Sequence, residues 1–255
     1  MARIPTQNRY PDRAGYMQFD TDRNAVEVFS DGKFGTVGAI PFDHDIDIYV
    51  GPGGDFADPY EALNYIQFLQ PKNINADIIT MVATQPIEEN LLKINLIFKE
   101  GYVFTDNFNL LGIYAPWLNI TQENFNTPLN IQMTQERRAP IYLLNSTIGK
   151  IKLNLKNLGN VLDVYSAVEL HNSNVRCINL KAENVEMGLT LWSSSHVTVL
   201  ESISVNKIRR YGIYAAYNSY IQINSPENNS NLGIFEFNDI GTTYPDFATA
   251  AAICS

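Results

Sequence analysis

Four short strings in the second half of the chain constrain its fold more than any other feature: NSTI at 145–148, NSNV at 172–175, SSHV at 194–197 and NSYI at 218–221. Each joins a small or polar pair to a variable residue and a β-branched aliphatic one. Their serines, Ser146, Ser173, Ser195 and Ser219, stand 27, 22 and 24 positions apart. Around them apolar and polar residues alternate, as in Ile148, Ile151 and Leu153 or Val197, Val199 and Ile203. A period in the low twenties with this alternation fits a solenoid of stacked strands. Each turn contributes two or three strands of about five residues, and successive turns pair along the axis at about 4.8 Å. Asparagine and serine in such columns hydrogen-bond along the axis and tolerate bent corners, so their abundance calls for no ligand. Leucine-rich and ankyrin repeats are excluded, because neither a Leu-Asn pattern nor helix pairs occur. The expected fold class is all-β: a single-stranded right-handed parallel β-helix over residues 75–255, preceded by a short β-hairpin segment and one capping α-helix.

With 255 residues, 45% apolar and 18% charged, the chain has the composition of a folded protein with a substantial core. The net charge of −9, from 27 acidic and 18 basic residues, sets a repulsive average field against a phosphate backbone, so no nucleic acid partner is expected. No apolar run reaches the length of a membrane span and residues 1–6 open no signal peptide, so synthesis in the cytosol without membrane insertion is expected. Cys177 and Cys254 give neither a disulfide framework nor a zinc-ligand spacing. Both are expected to be reduced when synthesised, with Cys254 the candidate for a cross-link to another chain.

Residues 1–42 centre on a stretch beginning at Gly15. There Tyr16, Gln18 and Asp20 alternate with Met17 and Phe19, and Val26, Val28 and Phe34 follow the turn-forming run from Asp20 to Asn24. This predicts a β-hairpin with Asp31-Gly32 at its far end; alone it is marginal in water, so it must pack on the body or on a neighbouring chain. Residues 43–74 hold a strand at Ile48 to Val50, a turn at Gly51 to Gly54 and a helix, with Asp58 as N-cap and Pro59 as its first residue. Ala62, Leu63, Ile66 and Leu69 give that helix one apolar face, suited to closing the open end of a stack of strands. Gly51, Gly53 and Gly54 do not form a phosphate loop, since no GK[ST] follows and Asp58 and Glu61 repel phosphate.

The stretch from Gly15 resembles a small module common in bacteriophage fibre and head proteins. The resemblance is carried by Gly15, Met17, Phe19, Asp20, Asp22, Val26, Val28, Phe29, Asp31 and Gly32, with Phe34 where the module often has tryptophan. The run YVGPGGDF at 49–56 with Glu61, Ala62 and Leu63, continued by GYV at 101–103 and WLNI at 117–120, is similar to the opening of many phage and prophage tail-fibre β-helices. The resemblance implies a fibre or tailspike-like virion protein with a pectate-lyase-like parallel β-helix, made in the host cytoplasm. It also implies a homotrimer that contacts other virion proteins through residues 1–42 and has a host-surface glycan as a further partner. Tail, collar and head positions stay open. So do two alternatives, a polysaccharide depolymerase tailspike and a capsid decoration or head-fibre protein.

Glycoside hydrolysis needs two carboxyl groups about 5–9.5 Å apart on one face. Glu183 and Glu201, 18 residues apart and so close to one turn, are the pair to consider if the chain is an enzyme. Solvated acids are expected in this number regardless, and the primary expectation is no catalytic residue. Arg209 and Arg210 beside Tyr211 fit either a lyase acting on acidic sugars or an exposed turn. His44, His171 and His196 belong to no nucleophile arrangement, and Asp43-His44-Asp45-Asp47 reads as a charged linker, so no metal and no cofactor are expected. Aromatic surface is concentrated at Trp192, Tyr211, Tyr217 and Tyr220, together with Tyr214. Sugars, peptides and partner chains dock on such faces, and these residues are the binding candidates. The expected work of the molecule is assembly and surface contact.

Overall fold

The computed structural model describes residues 2–4, 17–20, 25–30, 33–37, 40–67, 69–71, 92–134, 138–222, 235–238 and 251–254. Strands β1 (Ala2–Ile4), β2 (Met17–Asp20), β3 (Ala25–Ser30) and β4 (Lys33–Val37) form one sheet in that order. β2 and β3 are antiparallel, with Phe19 opposite Val26, and β3 and β4 are antiparallel, with Phe29 opposite Phe34. Phe34 therefore belongs to a further strand that returns along β3, beyond the single hairpin predicted. The connecting residues 21–24 and 31–32 lie outside the described residues.

Next come β5 (Ile40–Phe42), β6 (Ile46–Val50), the helix α1 (Pro59–Ile66) and β7 (Leu69–Pro71). The Asp58 carboxylate accepts the Tyr60 N–H at 2.8 Å, and the helix buries Pro59, Ala62, Leu63 and Ile66. It ends at Ile66, three residues before the end that its apolar spacing predicts. Leu69 is buried too, but from β7, which pairs in parallel with β5 and sets Leu69 opposite Ile40.

The remaining strands are β8 (Ile94–Phe98), β9 (Val103–Phe104), β10 (Phe108–Leu111), β11 (Tyr114–Gln122), β12 (Leu129–Ile131), β13 (Ile141–Leu144), β14 (Thr147–Asn157), β15 (Ser166–His171) and β16 (Asn174–Glu183), followed by β17 (Met187–Trp192), β18 (His196–Asn206), β19 (Tyr211–Ala215), β20 (Tyr220–Ile221), β21 (Phe235–Asn238) and β22 (Ala251–Cys254). They build two long sheets in which every pairing is parallel: β10-β13-β15-β17-β19-β22, and β20-β18-β16-β14-β11-β8-β6 with β9, β12 and β21 beside it. From β13 to β20 successive strands alternate between the two sheets. Neither sheet closes on itself.

Alternation along each strand makes the core. On β14, Ile151, Leu153 and Leu155 are fully buried while Lys152, Asn154 and Lys156 are half-buried. Register then stacks like on like: Leu153, Leu180 and Ile203 in one sheet, and Leu143, Leu170 and Leu191 in the other. Each such side chain, taken out of water, contributes about 1.5–3 kcal/mol.

The four serine strings lie side by side in parallel register, with Ile148 opposite Val175, Val175 opposite Val197 and Val197 opposite Ile221. Their serines form a ladder. The N–H of Ile113 donates to Ser146 Oγ at 3.0 Å, that of Ser146 to Ser173 Oγ at 3.0 Å, that of Ser173 to Ser195 Oγ at 3.2 Å, and that of Ser195 to Ser219 Oγ at 3.1 Å. The residue before each serine has a left-handed backbone: φ is 51° at Asn145, 45° at Asn172, 63° at Ser194 and 63° at Asn218. Asparagine tolerates that region far better than most residues with a Cβ. The Asn-Ser pair is thus a corner code, in which one residue turns the chain and the next holds the neighbouring repeat. Asn172 Nδ2 also donates to Asn145 Oδ1 at 2.8 Å, and a second amide column runs from Asn119 through Asn95 to Asp47.

Both sheets have an edge near residues 46–67, and each edge is filled. The Tyr60 hydroxyl donates to the Asn107 carbonyl at 2.7 Å and accepts the Asn109 N–H at 3.0 Å, taking the place of a strand beside β10. On β6, the loop from Gly51 to Phe56 folds back. The Asp55 carboxylate accepts the Tyr49 N–H at 2.8 Å, and the Asp55 and Phe56 amides donate to the Tyr49 carbonyl. This explains the glycines: φ is 114° at Gly51 and 68° at Gly53, and a Cβ on Gly54 would stand 2.6 Å from the Tyr49 carbonyl oxygen.

Candidate functional site

Stacking at about 4.8 Å brings aromatic residues from successive strands of the six-stranded sheet into ring contact. Tyr142 lies 5.4 Å from His171, His171 6.2 Å from Trp192, and Trp192 5.5 Å from Tyr217, the last two pairs near-parallel. Tyr214 joins at 4.9 Å from Trp192, and Tyr211 stacks on Tyr214 at 5.2 Å. Trp192, Tyr211 and Tyr217 therefore belong to one aromatic ladder, with Tyr217 outermost at 70% exposure. Tyr220 does not join it: it lies on β20 of the other sheet and packs on His196 at 4.2 Å. Between Tyr214 and Tyr220 the left-handed residues Tyr217 and Asn218 turn the chain, so alternation along one strand never relates the two. His171 Nε2 sits 2.8 Å from Glu169 Oε1. Burial, and after it the Glu169 charge, raises the pKa of the Tyr142 phenol, which stays neutral.

The carboxylates Glu183 and Glu201 are not brought together. Glu183 stands opposite Asn206, whereas Asn179 stands opposite Ser202, so Glu201 is displaced by more than four residues along the strand. That is a backbone offset of at least roughly 13 Å at about 3.3 Å per residue, and the two carboxylates bond to different lysines rather than facing a shared gap. The repeat at this level is 22 residues, as the Ser173–Ser195 step shows, and 18 falls short of it. Each acid is held by lysine: Glu183 by Lys207 at 3.1 Å and Lys156 at 3.2 Å, Glu201 by Lys150 at 2.9 Å. Burial pushes both carboxyls up, but the bonds from Lys207 and Lys156 to Glu183, and from Lys150, Cys177 and Asn179 to Glu201, outweigh it and leave both below the ordinary value. A general acid needs the opposite shift.

Arg209 and Arg210 turn inward to a carboxylate that the sequence reading did not connect with them. Glu186 is fully buried, with Arg210 Nε 2.8 Å and Arg209 Nη1 3.6 Å from its Oε1. A buried charge needs such partners, so these arginines serve the fold. Glu186 and Arg210 are one repeat apart in sequence, and that spacing was the signal that could have paired them. Asp45 accepts the Lys93 N–H and Asp47 the Asn95 side-chain amide. Among the described residues no group of three His, Cys, Asp or Glu could hold a metal. Cys177 is a buried thiol outside any disulfide and bonded to Glu201, and the Cys254 side chain lies outside the described residues.

No protein-family model, no curated protein and no solved structure matches the chain.

Proposed function

We propose that the chain is a structural component of a bacteriophage virion, a trimeric fibre or spike whose body is a right-handed parallel β-helix. It acts in assembly and, through the aromatic ladder around Trp192, Tyr211 and Tyr217, in recognition of a host-surface glycan. The observation that carries the reading is the in-register serine ladder: strands that alternate between two parallel sheets and turn at a repeated corner are what one coil after another of a β-helix requires. The viral part of the reading rests on the YVGPGGDF run and the module at Gly15. Residues 1–42 would attach the protein to the particle, and the edge-filling helix and loop would close the coil. The separation of Glu183 from Glu201 favours contact over depolymerisation by that pair.

Light scattering coupled to size exclusion tests the trimer, which would weigh about 86 kDa, three times the 28.7 kDa chain. Binding to immobilised bacterial surface polysaccharides tests recognition, with Trp192→Ala and Tyr217→Ala expected to weaken it at least tenfold without releasing new reducing ends. Gold-labelled antibody on intact particles distinguishes tail, collar and head. A monomeric chain that labels no particle would sink the proposal.

A further inference from the structure

We infer that the half-buried row of the ten-stranded sheet containing Lys152, Arg176 and Lys181 is the surface through which one copy of this chain packs against Tyr142 and His171, the inner end of the aromatic ladder, of a second copy. The inference rests on the trimeric reading above and assigns its interface. Strands β14, β16 and β18 carry five Lys or Arg and two Glu, a cationic surplus on a chain of net charge −9. Glu201 takes Lys150, and Glu183 takes Lys156. Lys152, Arg176 and Lys181 are left without a carboxylate among the described residues. Two of them are also held in place: the Lys152 and Lys181 ammonium groups lie 5.3 and 4.7 Å from the centre of the Phe125 ring, drawn across the sheet. The Phe125 ring attracts both ammonium groups, and a further ring or carboxylate brought to them would offset the mutual repulsion that remains.

Copies with this net charge repel one another in an arbitrary orientation, and a cationic face is where the repulsion reverses. The complement is present on the same molecule. The strands of the six-stranded sheet contain no Lys, Arg or Asp and a single Glu, Glu169, while their aromatic column runs from Tyr142 through His171 to Trp192. Ammonium and guanidinium groups dock over tyrosine and tryptophan faces. The levels agree as well. Tyr142 and Lys152 lie on consecutive strands, β13 and β14, and Glu169 and His171 on β15 are followed by Arg176 and Lys181 on β16. A rotation about an axis parallel to the direction of strand stacking keeps these levels aligned, so the cations of one copy meet the rings of the next, and such a head-to-tail contact closes into a ring.

The test uses the full chain, with sedimentation and light scattering over a range of concentrations and salt. Lys152→Glu combined with Lys181→Glu is expected to weaken association at least 100-fold with an unchanged far-ultraviolet spectrum. Lys152→Gln with Lys181→Gln, which adds no new charge, falls between, and Tyr142→Ala on the opposing face weakens it also. High salt loosens the wild-type trimer. A wild-type trimer that the charge reversals leave intact, or that salt strengthens, overturns the inference and leaves the trimeric reading standing. A wild-type chain that stays monomeric removes both.

Discussion

Replacing Ser173 by alanine isolates the contribution of one hydroxyl to the stack. Ser173 is fully buried, and its Oγ accepts the Ser146 N–H at 3.0 Å while donating to the His171 carbonyl at 2.7 Å. That carbonyl keeps a second partner, the Asn145 N–H at 3.0 Å, so it survives the change with one bond. The Ser146 amide does not. Its residue is 2% exposed, and leaving a buried donor unpaired costs about 1–3 kcal/mol. Ser173→Ala is therefore expected to lower the unfolding free energy by about 1–3 kcal/mol, read as a shift in urea midpoint at fixed protein concentration with the slope unchanged. Ser193 is the control: exposed, with a left-handed backbone at φ 52° that serine and alanine tolerate equally, its change to alanine should stay within about 0.5 kcal/mol. Equal shifts for the two variants, or a loss under about 0.5 kcal/mol at Ser173, would refute the claim that the hydroxyl ladder satisfies the corner amides.

At the neighbouring position both Asn172→Gly and Asn172→Ala lose the amide bond to Asn145, and the alanine variant should be the less stable by about 1–2 kcal/mol because of its left-handed φ, a comparison the same titration makes. Gly54→Ala forces a methyl to within 2.6 Å of the Tyr49 oxygen and should cost about 1–3 kcal/mol, with faster amide exchange at Tyr49 and Asp55 as the local readout. Tyr60→Phe removes the hydroxyl shared by Asn107 and Asn109 and should cost about 1–3 kcal/mol. Because folding lowers the pKa of Glu183 and Glu201, both stabilise the protein fully above the ordinary carboxyl value of 4.5 and progressively less as pH falls through their lowered folded values. Melting temperature should hold steady from neutral pH down to that point and then drop, and Lys150→Met should shrink the drop; a profile flat to strong acid would count against these lysine–glutamate pairs.

The corner was legible because two chemical demands fall on adjacent residues. A left-handed φ selects Asn, and a buried acceptor for the next amide selects Ser, so an Asn-Ser pair stands at three of the four corners and Ser194-Ser195 at the other. The start of α1 was legible for a similar local reason, since Asp58 and Pro59 act on the first turn alone. Its end was not, because Leu69 belongs to β7, which pairs with β5 some thirty residues earlier in the chain, while standing at a helical interval from Ile66. The acid pair failed on length. Eighteen residues resembles a repeat only until register shows that Glu183 belongs with Lys156 and Lys207, one step away on either side, just as Glu186 belongs with Arg210. The aromatic ladder was half legible: the residues cluster in sequence and the Asn218-Ser219 string marks a corner between Tyr214 and Tyr220, but that the strand beyond it joins the other sheet follows only from the pairing register.

Parallel strands invite more strands, and a pile of them ordinarily keeps growing from any bare rim. Here a phenol and a glycine loop sit where the next strand would dock beside β10 and β6, and they take up the Asn107 carbonyl, the Asn109 amide and both backbone polar groups of Tyr49. A newcomer would otherwise pair with those groups backbone to backbone, so the rim is a poorer template for amyloid-like growth than a bare strand.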